Sequence, residues 1–282
     1  VIVAQSSRHG GLVTPPAAGG GPPADLIEDF SSYSSTANLM SGGSKPWWST
    51  GEDVCGNSGG NGSCPTSDTG TIWLDTSVGL NAGGHSLSQS MRYDQPASPV
   101  CASPNDPSVG RNINLPSTQV EIWLEIWAMF SSGWSAADNR SQTGGGCDPG
   151  YKFIFGRING TGDRWSLGVE GGTGTQDLNF IASYPPTGST NLNVSYASAG
   201  FAPRDGGWHR YRMHWKCGSG NGVDAWWFDN NLCVNRTGIS PAANNIYGLA
   251  LGRNINSGPV LAQSIWWGLV QVWWTQDPGW GA

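Results

Sequence analysis

The chain has 282 residues, a formal net charge of −6 and only 12% charged residues, about half the roughly 25% of ordinary soluble domains. An acidic chain without a basic block excludes a phosphate-tracking nucleic-acid binder, and no apolar run approaches the roughly 20 residues that a membrane-spanning helix needs. Abundant Gly (43) and Pro (18) point instead to short strands joined by turns.

In chain order, residues 1–24 read as a flexible N-terminal arm, because Gly and Pro in QSSRHGGLVTPPAAGGGPPA block regular structure. Residues 25–282 read as one β-sandwich domain, a length that all-β sandwiches reach as single units. Strands are predicted at 26–33, 71–75, 85–93, 120–130, 151–158, 164–169, 178–182 and 208–217. A hairpin follows, with strands at 224–228 and 232–235 around Asp229-Asn230-Asn231, and the chain closes with strands at 246–252 and 264–274. No amphipathic helix or internal repeat is visible.

The chain holds 16 tryptophans against 14 Lys plus Arg. Eight of them stand in pairs: Trp47-Trp48, Trp226-Trp227, Trp266-Trp267 and Trp273-Trp274. On a strand, neighbouring side chains point to opposite faces, so each strand pair sends one indole to the core and one outward. Outward indoles stack on sugar rings or bury against protein. Trp47-Trp48 falls in a loop and is expected to plug an end of the sandwich.

The six cysteines lack C-x-x-C spacing and neighbouring histidines, which excludes a zinc cluster. Cys55 and Cys64 flank a Gly/Asn-rich loop and are the expected disulfide. Cys217 and Cys233 lie near opposite ends of a predicted strand, which argues against a bridge between them. Cys101 and Cys147 have no assigned partner.

The clearest element is VEIWLEIWAMF at 120–130. Its even positions, Val120 to Phe130, are all apolar; its odd positions are Glu121, Trp123, Glu125, Trp127 and Met129. Carboxylates beside indoles on one strand face suit a saccharide site, where ring C–H faces stack and hydroxyls meet acceptors. Glu121, Trp123, Glu125 and Trp127 are therefore the candidate carbohydrate-binding residues. The strand at 208–217 alternates as well, with Arg210, Arg212, His214 and Lys216 on one face, which reads most simply as a solvated surface.

The order EDFSSY, LDT, SLSQSMRYD, VEIWLEIWAMFSSGW, YKFIFGRI, GWHRYRMHWK, a W-F-D-N-N hairpin and a last apolar strand resembles the concanavalin A-like lectin/glucanase superfamily over residues 25–275. The resemblance implies an all-β jelly-roll sandwich of two antiparallel sheets. It spans lectins, carbohydrate-binding modules, glycosidases, polysaccharide lyases and decoration domains of bacteriophage particles, so fold alone does not choose among functions. In the hydrolases that share this fold, a strand motif E-x-D-x-E carries the nucleophile and the acid/base. Here Glu121 and Glu125 match and Trp123 replaces the central Asp. Retaining hydrolysis needs carboxyls about 5–5.5 Å apart, whereas i and i+4 on a strand are about 13 Å apart at a rise of ~3.3 Å per residue.

The resulting expectation is a non-enzymatic, lectin-like module on a cell or virion surface, a phage capsid decoration or fibre in particular. It would bind a glycan or polysaccharide and further protein subunits, as a homo-oligomer or on a capsid. The alternative is a secreted polysaccharide-degrading enzyme, a glycoside hydrolase with Glu121 and Glu125 or a lyase using the basic stripe. No cofactor is required. Calcium, common in this fold class, has only the scattered oxygen ligands Asp94, Asn105, Asp106, Asp229 and Asn230.

Overall fold

The computed structural model describes residues 21–41, 45, 47, 71–95, 111–134, 150–158, 166–171, 178–184, 192–196, 205–241, 245–252, 255–256 and 262–280. The Cys55–Cys64 pairing, Cys101, Cys147, Trp48, Asn105, Asp106 and all but the last four residues of the expected arm lie outside them.

The architecture is a sandwich of two antiparallel sheets. The larger contains, in order, β14 (Asn231–Ile239), β13 (Gly222–Phe228), β12 (Trp208–Lys216), β7 (Glu121–Phe130), β17 (Gln263–Trp273), β5 (Ser90–Gln95) and β2 (Thr71–Asp75), with β1 (Leu26–Glu28) also on β17. The smaller runs β11 (Leu192–Tyr196), β10 (Leu178–Tyr184), β9 (Ser166–Gly171), β8 (Gly150–Ile158), β15 (Ile246–Leu251) and β6 (Arg111–Gln119), with β16 (Ile255–Asn256) on β8. A small ribbon, β3 (Asn81–Ala82) with β4 (His85–Ser86), stands apart from both.

The alternation in β7 sets the core. Ile122, Leu124, Ile126, Ala128 and Phe130 are fully buried. Val120, expected on the same dry face, is instead 58% exposed, because it sits at the break between β6 and β7. The sheets meet through rings: Phe153 of β8 stacks on Trp267 of β17 at 4.7 Å and meets Tyr211 of β12 at 4.9 Å and Phe130 of β7 at 5.0 Å.

The predicted 26–33 strand ends at Glu28. That buried carboxylate accepts hydrogen bonds from Phe30 N at 2.9 Å, Tyr33 Oη at 3.0 Å and Trp47 Nε1 at 3.3 Å. These bonds turn the chain at Phe30, whose φ is 60°, and lead it into the five-residue helix α1 (Thr36–Met40) rather than along the sheet. Trp47 packs against the core cluster, as a plug would. The predicted 85–93 strand divides into β4 and β5. The β13–β14 turn is the expected one: Asp229 and Asn230 both have positive φ, 44° and 75°, as a two-residue type I′ hairpin requires. Cys217 and Cys233 are both free thiols.

Asp224 of β13 faces the core opposite Trp215, 1% exposed, with Arg236 Nη1 at 3.3 Å. Burial pushes its pKa up from 3.8 to about 6 against the pull of Arg236. A carboxyl whose folded pKa is raised favours folding while protonated, and that contribution disappears as pH rises through the folded value. Between pH 3.8 and about 6 this group therefore removes on the order of 3 kcal/mol at 1.36 kcal/mol per pKa unit. Urea unfolding measured across that window is expected to show a flatter stability profile for Asp224→Asn than for the parent.

Candidate functional site

The face of the larger sheet turned away from the core collects the polar and aromatic side chains. Because β7 and β12 pair antiparallel, the register sets Glu121 opposite Lys216, Trp123 opposite His214, Glu125 opposite Arg212 and Trp127 opposite Arg210. Two alternating sequences thus interlock. Glu125 Oε2 accepts from Arg212 Nε at 2.7 Å, and its Oε1 accepts from Trp127 Nε1 at 3.1 Å. Glu121 holds two partners, His214 Nε2 on Oε1 at 2.8 Å and Lys216 Nζ on Oε2 at 3.0 Å. The rings of Trp123 and His214 stack at 4.7 Å and 11°. Burial pulls the His214 pKa below its ordinary value despite the nearby Glu121 carboxylate, so the imidazole is neutral at neutral pH. With Nε2–H donated to Glu121, Nδ1 is the basic nitrogen.

The flanking strands extend these rows. Gln271 and Trp273 of β17 lie beside Glu125 and Trp123, and Trp227 of β13 lies beside Arg212. Two segments fold over the face, and the chain before β1 reaches its edge, where Pro22 O accepts from Trp273 Nε1 at 2.9 Å. The β3–β4 ribbon covers Trp127: His85 meets its ring edge-on at 5.8 Å, and Leu80, Trp127 and Leu269 form a second apolar cluster. Gly83, at φ +59°, lies so close that a Cβ there would fall 2.2 Å from the indole. His85 is buried, and burial lowers its pKa, so its ring is held neutral. At the other end, Trp280 meets Trp273 at 5.3 Å and Trp227 at 6.0 Å, both edge-to-face, and the Arg212 guanidinium lies 4.8 Å above its ring.

The four sequence-picked residues are therefore together on one face but unequal. Glu121 and Trp123 are part-exposed, whereas Glu125 and Trp127 are 3% and 6% exposed. The basic stripe is not the solvated surface expected of it. Arg212 and His214 keep only 13% of their side-chain surface in solvent, and both are bonded to β7 carboxylates. Gln271, Trp273, Trp227, His85 and Trp280 were not singled out as site residues. Trp227 and Trp273 are legible only as members of Trp pairs, one indole of which faces outward; nothing in the sequence marks the others.

Among the described residues no group of three His, Cys, Asp or Glu converges to hold a metal. Asp94 is engaged by Arg92 Nε at 2.6 Å and Ser264 Oγ at 2.5 Å. Asp229 accepts from the Arg210 backbone N–H at 2.9 Å and meets His209 Nδ1 at 2.6 Å. No helix among the described residues is long and apolar enough to cross a membrane.

No family model matches the sequence, and no curated protein matches it. Solved structures do match the fold. An endo-β-1,4-glucuronan lyase from the fungus Trichoderma reesei superposes with a TM-score of 0.55 at 14% identity, over 89% of this chain and 96% of that one. Alginate lyase Aly36B gives 0.55 at 13% identity, over 90% and 98%. A substituted form of Aly36B in complex with an alginate tetrasaccharide gives 0.53 at 14% identity, over 89% and 97%. The fold is a jelly-roll β-sandwich. At these identities the likeness is one of fold, and the chemistry rests on the residues.

Proposed function

We propose that the protein engages a polysaccharide on the outer face of its larger sheet, at the part-exposed cluster Trp123, Glu121, His214 and Lys216. The observation that carries this reading is the Trp123–His214 stack set against a carboxylate that already organises two cationic neighbours. An indole fixed upright by a stacked partner offers a pre-organised apolar surface, and the Glu121, His214 and Lys216 heads supply acceptors and donors for hydroxyls. Glu125 and Trp127 act from beneath, holding β7 and β12 in register. Fold neighbours that cleave or bind uronate polymers add support at the level of architecture. An extracellular or virion-surface setting, and any partner subunits, rest on the family resemblance alone.

A second reading, β-elimination, is favoured by one observation: His214, held through its Nε2 by Glu121 at 2.8 Å, has the form of an oriented general base. Hydrolysis by Glu121 and Glu125 has less support, since both Glu125 oxygens are occupied by internal donors. Affinity electrophoresis against neutral glucans, glucuronan and alginate separates the readings when combined with ultraviolet detection of unsaturated uronate ends. Trp123→Ala is expected to weaken retention roughly five- to 150-fold, the order of one lost stacking contact of about 1–3 kcal/mol. Retention unchanged in Trp123→Ala would sink this site. Unsaturated products from the parent that vanish in His214→Ala would establish the lyase.

A further inference from the structure

The segment that follows β17 carries an aromatic ring back onto the proposed glycan face. Asp25 fixes its start: Oδ2 accepts from Trp274 N at 2.7 Å and from Thr275 N at 2.9 Å, and Oδ1 accepts from Thr275 Oγ1 at 2.7 Å. Beyond that point, Asp277 Oδ1 accepts from Gly279 N at 2.7 Å, a bond internal to the segment. Gly279 adopts φ +77°, a conformation glycine takes without steric penalty. The resulting turn delivers Trp280 to Trp227, Trp273 and Arg212. Among the described residues no hydrogen bond joins residues 276–280 to the rest of the chain, and Thr275, Gln276, Asp277 and Gly279 are exposed. Trp280 is thus held by its ring contacts, and the buried Pro278 before it lies close against Gly21.

The place it occupies is not ordinary core. Trp227 and Trp273, each 6% exposed, are the outer members of Trp pairs whose partners Trp226 and Trp274 pack against the core cluster. Trp273 is the β17 neighbour of Trp123, and Arg212 is the β12 neighbour of Glu125. The cradle therefore continues the row of the candidate site without a break. Two indoles and a guanidinium around a flat ring are also the groups that receive a pyranose: apolar surface for its C–H faces and a donor fork for its hydroxyls.

We infer that the Trp227–Trp273–Arg212 cradle is a pyranose-binding subsite and that Trp280 fills it in the free protein, as an intramolecular plug displaced by a polysaccharide chain. The inference rests on the glycan-binding reading of the adjacent Trp123 cluster and extends it by one position along the sheet. A plug seated about nine-tenths of the time lowers apparent affinity about tenfold, because only the open fraction binds. Its removal restores that factor. Trp280→Phe, with a smaller ring in the same place, should fall between the parent and Trp280→Ala.

The test measures binding of the same polysaccharide panel to the parent, Trp280→Ala, Trp280→Phe and Trp123→Ala. In parallel, the indole N–H resonance of Trp280, assigned by its absence from the Phe variant, is followed during titration. The expected result is binding about tenfold tighter in Trp280→Ala, together with movement of the Trp280 resonance to a solvent-exposed position as the parent saturates. Unchanged or weaker binding in Trp280→Ala, or a Trp280 resonance that stays put at saturation, overturns the plug. The glycan reading still stands in that case if Trp123→Ala loses binding. If neither the parent nor Trp280→Ala binds any glycan, both fall. Binding by Trp280→Ala alone upholds the plug in its strongest form.

Discussion

Glu125→Ala is expected to destabilise the protein by about 3–5 kcal/mol, the range for removing one partner of a buried ion pair. The value should lie toward the lower end, because the Arg212 side chain keeps 13% of its surface in solvent and water screens what it reaches. Two groups lose their partner at once: the guanidinium held at 2.7 Å and the Trp127 indole N–H held at 3.1 Å. Glu125→Gln separates these losses. The amide oxygen still accepts from Trp127, while Arg212 is left without a counter-charge, so a smaller loss is expected. Replacing the pair together, with Glu125→Leu and Arg212→Met, should recover the part of the loss due to the stranded charge, since an apolar pair avoids desolvating either charge, while the Trp127 indole N–H stays without its acceptor. Urea unfolding followed by circular dichroism measures all three. A carboxylate used only as a nucleophile would give the opposite pattern, with Glu125→Gln as stable as the parent and all turnover lost.

This pairing shows what the sequence could and could not convey. Alternation in 120–130 and in 208–217 sorted both strands into faces, and it placed Glu121, Trp123, Glu125 and Trp127 together. Nothing in either segment says that the two strands are neighbours, because 77 residues separate Phe130 from Trp208 and the pairing is made across the sheet. Without that pairing, charges on a strand look solvated; with it, each finds an opposite charge. β6 is not legible in the sequence because Arg111–Gln119 is polar and contains Pro116. It is an edge strand, where a missing N–H does little harm. In β17 the period of two breaks at Gly268, where the pairing with β7 shifts register between Trp267 and Leu269. A Cβ at Gly268 would approach the Leu80 Cβ to 2.8 Å, so the bulge comes with close backbone approach. Its effect is to give the two Trp pairs of this strand the same sense. Before it, the second member, Trp267, enters the core; after it, Trp274 packs against the core and Trp273 turns outward. The second indole is again the inner one, which strict alternation without a bulge would not give.

That two-sidedness has its largest energetic consequence at Trp267. The side chain is 1% exposed and stacks on Phe153 of the opposite sheet at 4.7 Å and 22°, in a cluster that Tyr211 and Phe130 complete. Trp267→Ala opens a cavity at the point where the two sheets meet. Partial collapse of the surrounding rings is hindered because each already has another aromatic neighbour, so the expected loss is about 3–5 kcal/mol. That is a large share of the roughly 5–15 kcal/mol by which a domain is stable. Trp267→Phe keeps an aromatic surface against Phe153 and should lose less. The neighbouring Trp266 provides the internal control. It lies on the outer face, part-exposed, with its Nε1 donating to Asp75 Oδ2 at 2.9 Å and the Arg92 guanidinium 5.3 Å from its ring. Trp266→Ala removes one hydrogen bond and a part-solvated cation–π contact, together about 1–2 kcal/mol. Urea unfolding of the two alanine variants, followed by far-ultraviolet circular dichroism, compares the losses directly. Equal losses would mean that the face assignment around the Gly268 bulge is wrong, and with it the assignment of Trp273 to the outer face beside Trp123.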